Sequence, residues 1–234
     1  MENYDAFLAR IDSFEKPELH LGDGDFVPNP SMQLKVDSNN AFRPFFGDTT
    51  VFDLADSEKA LLRELTDILY SEVPECFCER LVDSTFHMTL HDLSNSPEKE
   101  RAARCMPSNR SRLCVMLEEQ PVTHHTIRMR SKAVFNMVNT SLVVGLYPVD
   151  AQEYDKLMAL YQLVDAVRTL PYPLTPHITL AYYNSAGFDY AAAKKLEQVV
   201  NRLNLKNFDI LLDTKRLVYQ QFESMNDYHT RFHF

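Results

Sequence analysis

The chain has 234 residues, 45% hydrophobic and 24% charged, a composition that suits one folded domain close to the size limit of a single core. Its formal charge of −9 argues against bulk duplex nucleic acid as a partner, because such affinity comes largely from cation–phosphate contacts. No run approaches the roughly 18 apolar residues of a membrane helix, and MENYDAFLARIDSFEKPELH carries charges where a secretory signal is apolar, so a cytoplasmic protein without a membrane partner is expected.

In chain order, residues 1 to about 40 read as a peripheral segment: a short helix over Glu2 to Phe14, then a loop at GDGDFVPNP. This segment is expected to cap the body rather than form a domain. TTVFDL, from Thr49, reads as a strand. DSEKALLRELTDILYSE follows as an amphipathic helix with Leu61, Leu65, Ile68 and Leu69 on its apolar side, Asp56 or Ser57 placed to cap it and Pro74 to stop it. The β-branched and aromatic run STFHMTLHDL is the next strand, bounded by NSP. THHTIRMR reads as a further strand. The first order of elements then recurs: TSLVVGLYPV is a strand, and DAQEYDKLMALYQLVDAVRTL a helix with Asp150 and Glu153 at capping-box spacing and Leu157, Tyr161 and Val164 on one face. PYPLTPHITLAYY returns as a strand. A helix at DYAAAKKLEQVVNRLN and strands at NFDILLD and KRLVYQQFE complete the pattern. The aromatic tail, with Tyr219, Phe222, Tyr228, Phe232 and Phe234, is expected to be buried against the second half of the molecule.

From strand to histidine, Thr50 to His87 and Ser141 to His177 span 37 and 36 residues, so the chain holds two copies of a strand, helix, strand module, over 49–93 and 141–183. The expected fold is α+β in a single bilobal domain spanning 1–234: two antiparallel-type sheets with flanking helices, related by a pseudo-twofold around a central cleft.

Each module ends in the same kind of tetrapeptide, His87-Met88-Thr89-Leu90 and His177-Ile178-Thr179-Leu180. Alternation along a strand puts His and Thr on one face and the apolar pair on the other. Two such strands brought together would set two imidazoles and two hydroxyls around one cavity. Neutral imidazole accepts a proton near neutral pH, imidazolium donates one, and hydroxyls donate hydrogen bonds to phosphate oxygens. Chance alone gives about 0.4 His-x-Thr tripeptides in a chain with 8 His and 13 Thr, and a third, His124-His125-Thr126, also occurs. Only the other two follow a strand and helix.

These motifs resemble those of the 2H phosphoesterase superfamily, which includes RNA 2′,3′-cyclic phosphodiesterases and the so-called 2′-5′ RNA ligases. The resemblance covers roughly Thr49 to Phe222 and is most specific at FHMTLHDL and PHITLAYY, with Pro176 before His177. It implies both His-x-Thr strands facing a central cleft, with His87 and His177 as the acid/base pair and Thr89 and Thr179 as phosphate ligands. It also implies metal-independent chemistry on a 2′,3′-cyclic phosphate or a 2′-5′-linked nucleotide or RNA end; a monomer is expected. A noncatalytic nucleotide or RNA-end binding module of the same fold is the alternative. Several members carry an Arg soon after the second motif, where this chain has Tyr182 and Tyr183.

Alternation adds three further substrate-binding candidates. His91 shares a face with His87 and Thr89, where it would reach the phosphate or orient the base or else serve as a satisfied structural histidine, and Tyr183 shares one with His177 and Thr179, where it would stack on a base or simply pack. Arg130 shares a face with His124, Thr126 and Arg128, which would supply local positive charge or else form a solvated outer face. His229 and His233 stand four apart and His124 and His125 are adjacent, but no HExxH or CxxC pattern accompanies them, so no metal or cofactor is assigned. Cys76, Cys78, Cys105 and Cys114 form no CxxC pair and read as reduced structural thiols.

Overall fold

The computed structural model describes residues 2–234. Its elements run α1 (Tyr4–Phe14), β1 (Phe46–Asp53), α2 (Asp56–Glu72), β2 (His87–Ser96), α3 (Lys99–Glu119), β3 (Thr126–Met137), β4 (Ser141–Pro148), α4 (Ala151–Asp165), β5 (His177–Tyr182), α5 (Tyr190–Leu203), β6 (Asp209–Asp213), β7 (Leu217–Ser224) and β8 (Asp227–His233).

The repeat read from the sequence becomes two matching units, β1-α2-β2 and β4-α4-β5, each with its two strands paired antiparallel. The strand order β6-β3-β4-β5-β2-β1-β7-β8 is symmetric about the β5–β2 junction. The expected two sheets are thus two four-stranded halves meeting edge to edge at one register pair, Met88 with Ile178, in a single curled antiparallel sheet. The aromatic tail lies elsewhere than expected. β7 pairs with β1 and β8 with β7, so the tail completes the half that carries the first motif, while β3 and β6 complete the second.

Burial explains the helices. In α2 the fully buried stripe is Leu62, Thr66 and Leu69, one position round from the expected Leu61, with Leu65 and Ile68 packed at its margin. Its N-cap is Ala55 rather than Asp56 or Ser57, and Glu58 Oε2 accepts the Ala55 N–H at 2.9 Å. In α4, Leu157, Tyr161 and Val164 are buried as expected, and Asp150 caps the helix by accepting the Glu153 N–H at 2.9 Å. Glu153 itself turns to Arg128 and Lys156 instead of closing a capping box. Two elements carried no expectation: α3, which contains Pro107, and β8. The N-terminal segment caps the body: Tyr4 donates to the Pro148 carbonyl at 2.8 Å, and Phe26 forms an antiparallel bridge with Phe188. Among the described residues, no helix is long and apolar enough to cross a membrane.

Candidate active site

β2 and β5 lie side by side at the centre of the sheet, and each begins at its motif histidine. Met88 and Ile178 oppose each other at the junction and are fully buried. Their neighbours His87, Thr89, His177 and Thr179 therefore point to the opposite face, where all four line one cleft. Lys35, Asp92, Tyr182, Phe222 and Tyr228 complete its walls.

The two rings are locked in the same way. His87 Nδ1 lies 2.7 Å from the Thr85 carbonyl oxygen, and His177 Nδ1 lies 2.7 Å from that of Thr175. A carbonyl only accepts, so Nδ1 carries the proton in both, and Nε2 of each neutral ring keeps its lone pair. Arg10 anchors the approach to β5 by donating to the Leu174 carbonyl at 2.8 Å and to Thr175 Oγ1 at 3.2 Å. The His87 ring meets Tyr228 edge to face, with centroids 5.1 Å apart.

Burial pushes both imidazoles below their ordinary pKa, His87 to about 4 and His177 in the same direction. The carbonyl bonds and the Asp92 carboxylate oppose that shift in both rings, and charge on His177 depresses His87 further. Such a pair offers a bare Nε2 on one side and, once singly protonated, an N–H donor on the other.

Strict alternation fails after each threonine, and it fails in the same place. In β2, Thr89 opposes Val51 but His91 opposes Thr50, leaving Leu90 as an extra residue; in β5, Thr179 opposes Val143 but Ala181 opposes Leu142, leaving Leu180 extra. Each bulge reverses the facing of the residues beyond it. Asp92 and Tyr182, five residues after their histidines, turn into the cleft, and the residues just before them turn away.

The remaining expected substrate ligands therefore lie outside the cleft's walls. His91 is 1% exposed, with Nδ1 2.6 Å from the Asp92 carbonyl oxygen and Nε2 3.0 Å from Asp165 Oδ1, so neither ring nitrogen is available to a phosphate. Tyr183 lies just past β5, fully buried among Phe26, Phe77 and Phe188. Arg130 sits where β3 pairs with the edge strand β6, exposed and bound to Asp209 at 2.8 Å. On the same strand Arg128 is bound to Asp150 and Glu153. His229 and His233 lie on β8, a strand rather than a helix, where four residues span roughly 13 Å. Among the described residues, no group of three or more His, Cys, Asp or Glu side chains is placed to hold a metal.

Lys35, Asp92, Tyr182, Phe222 and Tyr228 were not anticipated. The shared position five residues after each motif histidine was a readable signal for Asp92 and Tyr182. Lys35 arrives from a distant loop and had none.

A mixed α/β fold with a half-barrel antiparallel sheet carrying two His-x-Thr strands into one cleft is the arrangement implied by the motif resemblance to 2H phosphoesterases. The fold is similar to that of a conserved protein of unknown function from Agrobacterium tumefaciens str. C58, with a TM-score of 0.63 and 15% identity over 88% of this chain and 93% of that one. E. coli LigT complexed with 3′-AMP aligns with a TM-score of 0.46 and 12% identity over 81% of this chain and 97% of that one. A structure described as a phosphoesterase aligns with a TM-score of 0.47 and 14% identity over 82% and 98%. No protein-family model and no curated protein matches this sequence.

Proposed function

We propose that this chain is a metal-independent phosphodiesterase that opens a 2′,3′-cyclic phosphate or cleaves a 2′-5′ nucleotide linkage at an RNA end. One observation carries the reading: the paired strands β2 and β5 present His87, Thr89, His177 and Thr179 to one cleft, with both imidazoles oriented by the carbonyl two residues before them. Phe222 and Tyr228 on the walls offer apolar ring surface suited to a nucleoside.

His87 acts as base and takes a proton from water through Nε2. The water oxygen forms its bond to phosphorus as the bond to the ribose oxygen breaks. Protonated His177 passes its Nε2 proton to that departing oxygen. Thr89 and Thr179 donate hydrogen bonds to the non-bridging oxygens, whose charge grows in the transition state. The cycle closes when His87 loses its proton and His177 regains one from solvent.

The test is hydrolysis of nucleoside 2′,3′-cyclic monophosphates and 2′-5′ dinucleotides in EDTA by wild type, His87→Ala and His177→Ala. Turnover that survives chelation and is lost in both variants supports the reading; turnover abolished by EDTA overturns it. A p-nitrophenyl phosphodiester, whose leaving group needs no proton, separates the roles. It should restore turnover to His177→Ala and leave His87→Ala inactive, and the reverse result would exchange the acid and the base.

A further inference from the structure

We infer that Lys35, brought to the cleft by the N-terminal segment, is the residue that binds the negative charge of the reacting phosphate. The inference rests on the two-histidine reading of the cleft and names the group that lets an acidic protein hold an anion there. A phosphodiester brings one negative charge to a chain of net charge −9, beside the Asp92 carboxylate. The threonines supply dipoles but no charge. Lys35 is the one Lys or Arg among the described residues lining the cleft.

Its backbone is fixed. Lys35 follows a short 3-10 turn over Pro30–Leu34, donates its N–H to the Met32 carbonyl at 2.9 Å and accepts from the Arg43 N–H at 2.8 Å. Met32 and Val36 on either side are buried in a small cluster with Cys78. The ammonium lies over two ring faces, 5.1 Å from the centroid of Phe45 and 5.3 Å from that of Tyr182. No carboxylate lies within ion-pair distance of it among the described residues, whereas Arg128 and Arg130 are each taken up by acids. Rings hold a cation in place without using its N–H donors, which stay available to an oxyanion. Phe45 leads into β1 of the first half and Tyr182 ends β5 of the second, where the bulge turns it inward, so this charge stands between the two halves of the cleft.

The experiment is a 31P NMR titration of inorganic phosphate with the full chain and its Lys35→Met and Lys35→Arg variants, paired with kinetics on a 2′,3′-cyclic monophosphate. Lys35→Met should weaken phosphate binding by about tenfold or more, and Lys35→Arg by less than about threefold, as expected for loss and retention of a charged hydrogen bond. In the kinetics, Lys35→Met should raise KM by about tenfold with kcat within about threefold, and its KM should depend less on salt than that of wild type. A lowered Tm with unchanged phosphate affinity would reduce Lys35 to a packing residue and overturn the inference, as would a wild type that binds no phosphate. A loss confined to substrates bearing an additional 5′-phosphate would overturn it too, by assigning the lysine to a second group. Lys35-dependent phosphate binding with no turnover on any substrate leaves this inference standing and sinks the proposed reaction. Turnover indifferent to Lys35→Met does the opposite.

Discussion

The two motif strands are near copies, and the differences between them lie within five residues of each histidine. β2 and β5 lock their rings through the same carbonyl, present the same hydroxyl two residues on, and then bulge at the same leucine. Past the bulge they diverge. β2 continues with His91, buried against α4, and Asp92, a carboxylate in the cleft; β5 continues with Ala181 and Tyr182, a ring on which Lys35 rests. The repeated part supplies chemistry that needs two like groups, and the divergent part adds a carboxylate after one motif and a ring that meets Lys35 after the other. Symmetry builds the pair; asymmetry assigns its members.

The largest expected effect removes the shared part. His87→Ala and His177→Ala should each lower kcat by about 100- to 10,000-fold on a cyclic phosphate with an ordinary ribose leaving group, measured alongside circular dichroism to show that the fold persists. Losses differing greatly between the two would mean that one histidine carries both proton transfers. Next come the hydroxyls: Thr89→Val and Thr179→Val should each cost about 10- to 100-fold in kcat/KM. The two losses should be of similar size, because the threonines hold equivalent positions on the paired strands and Lys35 lies between Phe45 of one half and Tyr182 of the other. A loss confined to one of them would show that the phosphate rests on one half of the cleft.

How much of this was legible in the sequence depends on the range over which each feature is set. The duplicated module and its His-x-Thr tetrapeptides were legible because they are local, resting on a period of 2 in the strands and apolar spacing in the helices. Their convergence on one cleft was legible only through the duplication and the family resemblance. The bulges were not: an extra residue in a ladder is set by the partner strand, so alternation wrongly carried His91 and Tyr183 to the cleft face and missed Asp92 and Tyr182. α3 escaped notice because it is polar, contains Pro107 and buries only Ala102, Asn109 and Leu113. Arg130 showed its charge in the sequence but not its partner, Asp209, which is 79 residues away. Lys35 depends on a loop that lays its ammonium between Phe45 and Tyr182, a contact with no local signature.

pH sharpens the comparison at the next level down. The catalytic form of the free enzyme holds one proton on the histidine pair, so it exists between the two pKa values. Burial lowers both, with His87 at about 4 and His177 below its ordinary 6.5. A plot of kcat/KM against pH should therefore be a bell peaking on the acid side of 6.5, falling at higher pH as His177 loses its proton and at lower pH as His87 gains one. Asp92 raises both values, and the Tyr172 hydroxyl is bonded to it. Asp92→Asn should move the whole bell toward acid and reduce activity at pH 7, by less than either threonine substitution, while Tyr172→Phe keeps the carboxylate and should move it little. A bell that stays in place in Asp92→Asn would show that the one acidic group separating the halves does not tune the pair.

The smallest effect on turnover belongs to His91, the residue that the bulge turns away. Its ring joins the Asp92 carbonyl on β2 to the Asp165 carboxylate at the end of α4, linking the first module to the helix of the second across 74 residues. β5 has Ala181 at the same position and makes no equivalent link through that side chain. His91→Ala would empty a buried site and remove the ring that joins the Asp92 carbonyl to Asp165, which should cost about 2 to 3 kcal/mol of stability. Chemical denaturation would show this as a lower midpoint. The folded variant should keep kcat/KM within about threefold on cyclic phosphates, since no atom of the ring lies free to meet a phosphate. Wild-type stability with abolished turnover would place His91 among the substrate ligands after all, and the inward turn of Asp92 would then need another cause.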